Sequence, residues 1–213
     1  MFKKAFTLAE VLIVIAIIGA VASLTIPNIS DSYKSDKTVV KLRKFQNELQ
    51  SAQKQAILKY GTYDLWYSTS TSDNTKISEN KQRLLEFLEV TQTGVTFPDT
   101  TINGTNGITK VELKDGTILA VECDADGKCT LYVATDGYNS SIKGKNIFKF
   151  LVYYNNGGSG DVVPEGRGSD RASDNKISLT DNINGTNWAV TVGNLDYLKC
   201  AASLNWETKT SCD

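Results

Sequence analysis

The chain has 213 residues, with 23 Lys and Arg against 24 Asp and Glu, and it contains no His. A near-neutral charge without a basic cluster argues against a nucleic-acid partner. The absence of His removes the Ser-His and Cys-His nucleophile pairs and the usual zinc ligand sets. The sequence also lacks a G-x-S-x-G motif and a Gly-rich phosphate loop followed by Lys. We therefore predict neither an enzyme nor a cofactor.

The most distinctive stretch is apolar and runs from Phe6 to Ile26 with one ionisable side chain, Glu10. As an α-helix it would be about 31 Å long, close to the thickness of the hydrocarbon core of a bilayer. Lys3 and Lys4 precede it, and positive charges favour the cytoplasmic side of a membrane. We predict a single-pass transmembrane helix over residues 6–27, with a cytoplasmic N-terminus and an exported remainder.

The flanks of this run differ from those of an ordinary secretory signal peptide, in which a small-residue cleavage site follows a shorter apolar region. Here the small residue, Ala5, lies before the run, directly after the lysines. The order of lysines, Ala5, F-T-L-x-E, apolar run and Pro27 resembles the type IV prepilin signal. That family includes type IV pilins and type II secretion pseudopilins, and it usually has Gly where this chain has Ala5.

The resemblance implies a series of processing and assembly steps. A prepilin peptidase would cleave between Ala5 and Phe6, so that residues 1–5 are a leader peptide, and Phe6 would then be N-methylated. Glu10 would help the subunits to assemble. An inner-membrane platform would build a pilin or pseudopilin filament, and the exported domain would lie in the periplasm or outside the cell.

Glu10 and its neighbours also point to assembly from their chemistry alone. A carboxylate inside a membrane helix costs ~2.5–3.5 kcal/mol, so it should have a partner or a function. Cleavage after Ala5 would free an α-amine on the same helical face, in this subunit or a neighbour. The alternative is a shallow Glu10 that reaches the lipid headgroups. Gly19 would let helices approach closely, and Pro27 predicts a kink.

After Pro27 a helical period resumes. Apolar residues recur at intervals of three and four and predict one buried face, made of Leu42, Phe45, Leu49, Ala52, Ala56 and Tyr60. Gly61 is a C-terminal stop signal. We expect residues 28–61 to be the amphipathic half of one long helix that begins in the apolar segment.

Residues 62–213 are predicted to form one exported α+β domain, with the long helix packed on an antiparallel sheet. Residues 61–76 are expected to be a loop and 78–90 a short helix. Apolar runs separated by Asn-Gly and Asp-Gly signals predict strands at 95–99, 108–113, 117–123, 129–134 and 146–154. In this sequence the predicted helices precede the predicted strands, which is typical of an α+β fold.

The cysteines form two local pairs in sequence, Cys123 with Cys129 and Cys200 with Cys212. In an exported chain, an even number in close pairs predicts disulfides. Three connectivities are possible, and we favour the local one. Tetracysteine zinc is the alternative, but these spacings are not those of zinc knuckles.

The C-terminal tail is predicted to contain a strand and a closed loop. Trp188, Val190 and Val192 alternate as in a strand. A Cys200–Cys212 bond would then close the last segment. This pair resembles the C-terminal disulfide that delimits a variable surface region in many type IV pilins.

Two acidic segments have calcium binding as an alternative to a plain turn or loop. Asp124 and Asp126 lie in a D-x-D-G stretch between the first two cysteines, but no Glu follows at the distance of a calcium loop. Residues 155–175 are rich in Gly, Ser and Asp and are predicted to be a flexible loop. The spacing of their carboxylates does not single out ligands, so we predict no metal site.

Two functions follow from these features. The first is a structural subunit of a type IV pilus or type II secretion pseudopilus that polymerises through its apolar helix. The second is a minor pilin, anchored in membrane lipid, that acts as a binding module in adhesion or DNA uptake. Trp66, Tyr67 and Tyr138 would be its candidate contacts.

Overall fold

The computed structural model describes residues 7–62, 73–104, 107–124, 128–153, 162–166, 177 and 185–212, and for residues 24–31 it describes the backbone alone. The elements are α1 (Leu8–Tyr60), α2 (Asn74–Leu85), β1 (Val90–Thr93), α3 (Thr100–Asn103), β2 (Thr109–Leu113), β3 (Ile118–Cys123), β4 (Lys128–Ala134), β5 (Ile147–Tyr153), β6 (Val162–Pro164), α4 (Thr186–Thr191) and α5 (Tyr197–Cys200). Short 3-10 turns lie at Gly137–Asn139 and Ala201–Ser203. The chain divides into two compact units, the N-terminal unit Met1–Lys37 and the C-terminal unit Thr38–Asp213.

The fold class predicted from the sequence is confirmed as α+β, with a long N-terminal helix, an antiparallel sheet and disulfides. The transmembrane part of that prediction, at residues 6–27, is not supported. Among the helices of the described residues, none combines the length and the apolar content needed to cross a membrane.

The second half of α1 supplies one wall of the core of the C-terminal unit. The predicted apolar face is confirmed, because Leu42, Leu49, Ala52 and Ala56 are fully buried and Phe45 is nearly so. The Phe45 ring packs edge-on against Phe150 of β5, with 5.5 Å between the ring centroids.

The helix stops where the sequence predicts. Gly61 has φ of 90°, a left-handed conformation that a side chain would disfavour, and its N–H donates to the carbonyl of Ile57. This bond satisfies one of the last carbonyls of α1.

In the described part of the chain, the sheet is antiparallel and its six strands lie side by side in chain order. Four predicted strands are confirmed as β2 to β5. Alternate residues face opposite sides of a strand. Leu119 and Val121 of β3 therefore pack in the cluster that contains α1, while Ile118 and Ala120 pack in a second cluster on the other face.

The strand predicted at 95–99 is wrong. The strand lies earlier, as β1, and the chain turns at Gly94, whose φ is 71°. Val95 and Phe97 then bury their side chains in the second cluster without joining the sheet. Alternate burial produced the strand-like pattern, but Pro98 has no N–H to donate to a ladder.

Two further boundaries differ from the prediction. α2 begins at Asn74 because the carboxylate of Asp73 accepts a bond from the Lys76 N–H at 3.0 Å, as an N-cap does. In the segment predicted as a flexible loop, Val162–Pro164 forms β6 and pairs with β5. Most of residues 155–175, and residues 63–72, lie outside the described part of the chain.

The strand predicted around Trp188 is wrong, because these residues form α4. Trp188 and its neighbour Ala189 are both fully buried, which a helix allows and a half-exposed strand does not. Arg43 of α1 donates to the carbonyls of Val190 and Thr191 at the end of α4. These contacts hold α4 against α1.

Both disulfides join local pairs. Cys123 and Cys129 are cross-strand partners in β3 and β4, with 4.0 Å between their Cα atoms. Cys200 and Cys212 close the C-terminal segment, with 6.0 Å between their Cα atoms. The Cys212 N–H also donates to a carboxylate oxygen of Asp196 at 2.9 Å.

Two of the acidic residues in the segments considered for calcium binding lie in the described part of the chain and contact other groups of the protein. Asp124 accepts a bond from the Lys128 N–H at 2.9 Å and so closes its own turn, whereas Asp126 lies outside the described residues. Glu165 pairs with Lys149 at 3.3 Å. Within the described residues, no three His, Cys, Asp or Glu side chains are grouped as a metal ion requires.

Candidate functional site

The first half of α1 presents a continuous apolar surface to solvent. Nine large apolar side chains between Leu8 and Val21 are 48–79% exposed: Leu8, Val11, Leu12, Ile13, Val14, Ile15, Ile17, Ile18 and Val21. Successive residues of an α-helix are rotated by ~100°, so Val11–Ile15 alone cover every side of the helix.

A helix that is apolar on all sides is normally surrounded by other apolar groups. Because these side chains are exposed in a single chain, their apolar surface is available for contact with other molecules. We refer to residues 8–23 of α1 as the assembly segment.

The assembly segment begins with a reciprocal cap between Thr7 and Glu10. One Glu10 carboxylate oxygen accepts bonds from the Thr7 N–H and the Thr7 hydroxyl, each at 2.8 Å. The Glu10 N–H donates to the Thr7 hydroxyl oxygen at 3.2 Å. This is a capping box, in which an N-cap Thr and the Glu three residues later satisfy each other's backbone groups.

The cap fixes the position of the one carboxylate in the apolar stretch. The start of a helix carries partial positive charge, which stabilises a carboxylate placed there. The sequence predicts that Glu10 needs a partner, and Thr7, which was not among the predicted site residues, supplies one. The T-x-x-E spacing at residues 7–10 was the signal that could have identified it.

The other predicted site residues are only partly described. Ala5 and Phe6 lie outside the described residues, and the side chain of Pro27 is not described, although α1 continues through its position. Gly19 lies within the assembly segment, and a Cβ added there would meet no atom within 4 Å. Its lack of a side chain therefore has no packing role among the described residues.

Of the three aromatic residues predicted as contacts of a binding module, one lies in the described part of the chain and two do not. Tyr138 is 57% exposed in the connection between β4 and β5, whereas Trp66 and Tyr67 lie outside the described residues. Two of the exposed apolar features among the described residues are the assembly segment and the Tyr138 region.

Comparison with known proteins identifies the first of these features. Residues 1–26 match the family model of the prokaryotic N-terminal methylation motif. No curated protein and no solved structure shows a significant match to the chain. That motif is the signal by which type IV pilins and pseudopilins are processed, so the N-terminus of this chain carries a prepilin-type processing signal.

Proposed function

We propose that this chain is a structural subunit of a type IV pilus or a type II secretion pseudopilus. Prepilin peptidase would cleave it between Ala5 and Phe6, Phe6 would be N-methylated, and the mature chain would polymerise through α1. The observation that carries the proposal is the apolar assembly segment, exposed on every side and headed by a capped carboxylate.

Before assembly, the apolar segment holds the subunit at the inner membrane while the C-terminal unit is exported. Two features support export. The charged residues Lys3 and Lys4 precede the segment, and such residues favour the cytoplasmic side. All four cysteines form disulfides, which persist in oxidising compartments such as the periplasm.

During assembly, contacts between helices replace contacts with lipid. Copies of the assembly segment pack together in the centre of the filament, and an inner-membrane platform supplies the machinery. Gly19 lets neighbouring helices approach closely, and its open surroundings in one chain support a role between chains. Pro27 allows the helix to bend between the packed segment and the exported domain.

Glu10 aligns the subunits through charge. Cleavage leaves a free α-amine on Phe6, directly before Thr7. The cap places the Glu10 carboxylate beside the Thr7 N–H, so the carboxylate lies at the end of the helix where that amine is created. A carboxylate and an amine away from water attract each other far more strongly than in solvent.

The direct test of processing is intact-mass and N-terminal analysis of the protein from its own membranes. We expect a mature chain that starts with methylated Phe6. As matched controls, Ala5→Gly should be cleaved at least as completely, while Ala5→Leu should stay uncut because a large side chain replaces the small one. A chain that still begins with Met1 in cells with active prepilin peptidase contradicts the proposal.

A second candidate is a minor pilin that binds a target, and the exposure of Tyr138 favours it. Abundance separates the two functions. A major subunit dominates the protein of sheared filaments, whereas a minor subunit is a small fraction of it.

A further inference from the structure

The connection between β4 and β5 is braced by hydrogen bonds between its own residues. Its backbone is held internally: the Asp136 N–H donates to the Ser140 hydroxyl at 3.0 Å, and the N–H groups of Ser141 and Ile142 donate to the Asn146 side-chain oxygen at 3.0 and 2.8 Å. Ser140 itself is buried. We call residues 136–146 the Tyr138 loop.

This loop holds two large apolar side chains in solvent. Tyr138 is 57% and Ile142 is 46% exposed. An aromatic side chain on a fixed backbone is typical of the residues that dominate binding energy, because little conformational entropy is lost when it is buried. The charged side chains of the loop are Asp136, Lys143 and Lys145, which give a net charge of +1.

A groove of complementary character is formed by other residues of the C-terminal unit. It has a volume of about 460 Å³ and runs between α1, the α2–β1 connection and the β2–β3 turn. Its apolar part is formed by the half-buried Phe87 and the buried Leu88 and Leu113. We call it the Phe87 groove.

The rim of the Phe87 groove is charged with a small acidic excess. Three carboxylates, on Glu48, Glu89 and Asp115, face two ammonium groups, on Lys44 and Lys114. The Glu89 and Lys114 side chains are 77% and 72% exposed, and their charged atoms are 3.7 Å apart. The net charge of the rim is −1, which is opposite in sign to that of the Tyr138 loop.

The loop does not fill the groove of its own chain. Tyr138 and Ile142 are absent from the groove lining and are exposed. The loop instead rests on the β2–β3 turn, since a Cβ on Gly137 would lie 2.9 Å from the Gly116 carbonyl oxygen. A contact between the two surfaces therefore joins different patches of two molecules, and such contacts generate open helical filaments where the rotation between copies does not close a ring.

We propose that Tyr138 and Ile142 of one subunit insert into the Phe87 groove of a second copy of this chain. The proposal rests on the proposed function, because assembly through α1 brings the exported domains together. The loop supplies apolar anchors and positive charge, and the groove supplies an apolar floor and a negative rim. The contact fixes the orientation of neighbouring exported domains.

Photo-crosslinking of the full-length chain in its own cells tests this contact. A benzoylphenylalanine residue replaces Tyr138, and crosslinked peptides from sheared filaments are mapped by mass spectrometry. We expect crosslinks between copies that fall within residues 44–51, 87–89 or 113–115. The matched control places the same probe at Leu58, which is 86% exposed on α1, and should give no crosslink to the groove.

A second variant measures the strength of the contact. Tyr138→Ser combined with Ile142→Ser should lower the amount of assembled subunit about tenfold or more, as expected for the loss of interface anchors. Thermal unfolding of the C-terminal unit should be unchanged, because both side chains are exposed. Unchanged assembly by this variant would overturn the proposal.

The outcomes separate this inference from the function on which it rests. Filaments that form normally while the Tyr138 probe crosslinks to another part of a second copy, to lipid or to a different protein would overturn the groove contact alone. An uncut chain that forms no filaments would overturn the proposed function and this contact with it. Crosslinks in the groove, together with a methylated Phe6, support both.

Discussion

The two halves of α1 use one kind of secondary structure for opposite purposes. From Val39 to Ala56, most apolar residues lie on one face and are buried in the core, and Val40 is the exposed exception. From Leu8 to Val21, apolar residues lie on every face and are exposed. The difference shows that the period of the apolar pattern decides whether a helix buries its apolar side chains in its own chain or leaves them exposed.

The difference also separates stability from assembly. The C-terminal unit has a buried core, side-chain caps on α2 and α3, and two disulfides. At the assembly segment, Thr7 donates to Glu10 and the Ser23 hydroxyl donates to the Ala20 carbonyl, and both contacts lie within one turn of the helix. Changes in the two halves of α1 should therefore affect different measurements.

The largest expected effect comes from truncating one leucine in each half of α1. Leu49 is fully buried, so Leu49→Ala should lower the free energy of unfolding by ~2–5 kcal/mol, the cost of lost burial plus a cavity. Leu12 is 53% exposed, so Leu12→Ala should leave unfolding unchanged and weaken assembly instead. Urea denaturation and filament yield measure the two effects. An equal loss of stability in both variants would contradict the assignment of stability to the second half of α1 and assembly to the first half.

The disulfides give a smaller effect, confined to the C-terminal unit. Cys200 and Cys212 are separated by 12 positions, and Cys123 and Cys129 by 6. In the chain-entropy model, replacing Cys200 and Cys212 by serines costs ~3 kcal/mol, and replacing Cys123 and Cys129 costs ~2 kcal/mol. The difference arises because a bond that closes a longer loop restricts the unfolded chain more. Denaturant unfolding of the two double variants measures the difference. A greater loss for the Cys123–Cys129 pair would contradict this ranking.

The smallest effect is a pH dependence that also belongs to the C-terminal unit. Burial acts to raise the pKa of Asp115, but hydrogen bonds from Thr117 and the nearby positive charge of Lys44 outweigh it and lower the pKa below 3.8. A lowered folded-state pKa adds stability that is complete above the unfolded value of 3.8 and is lost as the pH falls through the folded-state pKa.

Because Asp115 is partly exposed, solvent screening keeps this contribution below ~1 kcal/mol. Asp115→Asn should remove it, so the variant and the parent protein should differ in stability at neutral pH and converge as the pH falls through the folded-state pKa of Asp115, which is lower than 3.8. Unfolding measured across that range tests the sign. A difference that grows on acidification would contradict it.

Several elements of the fold could be predicted from the sequence alone. The second half of α1 was predictable because its apolar period is sustained and Gly61 ends it. Strands β2 to β5 were predictable because each is an apolar run bounded by turn signals. The capping box at Thr7 and Glu10 could also have been read from its spacing.

The remaining features depend on contacts between distant residues. α4 was mistaken for a strand because its apolar pattern is short, and its position depends on Arg43, which is 147 residues away from Val190. β6 has only three residues and follows β5 as an edge strand. The Phe87 groove combines three separate segments, so no local pattern could have indicated it.

The central claim is that the apolar half of α1, headed by Glu10, assembles with copies of itself. The most direct measurement is filament or pseudopilus assembly by Glu10→Gln, a variant of the same size without the charge, after its mature N-terminus and folded C-terminal unit have been verified. We predict a processed, folded subunit that fails to assemble. Assembly at the level of the parent protein would contradict the account.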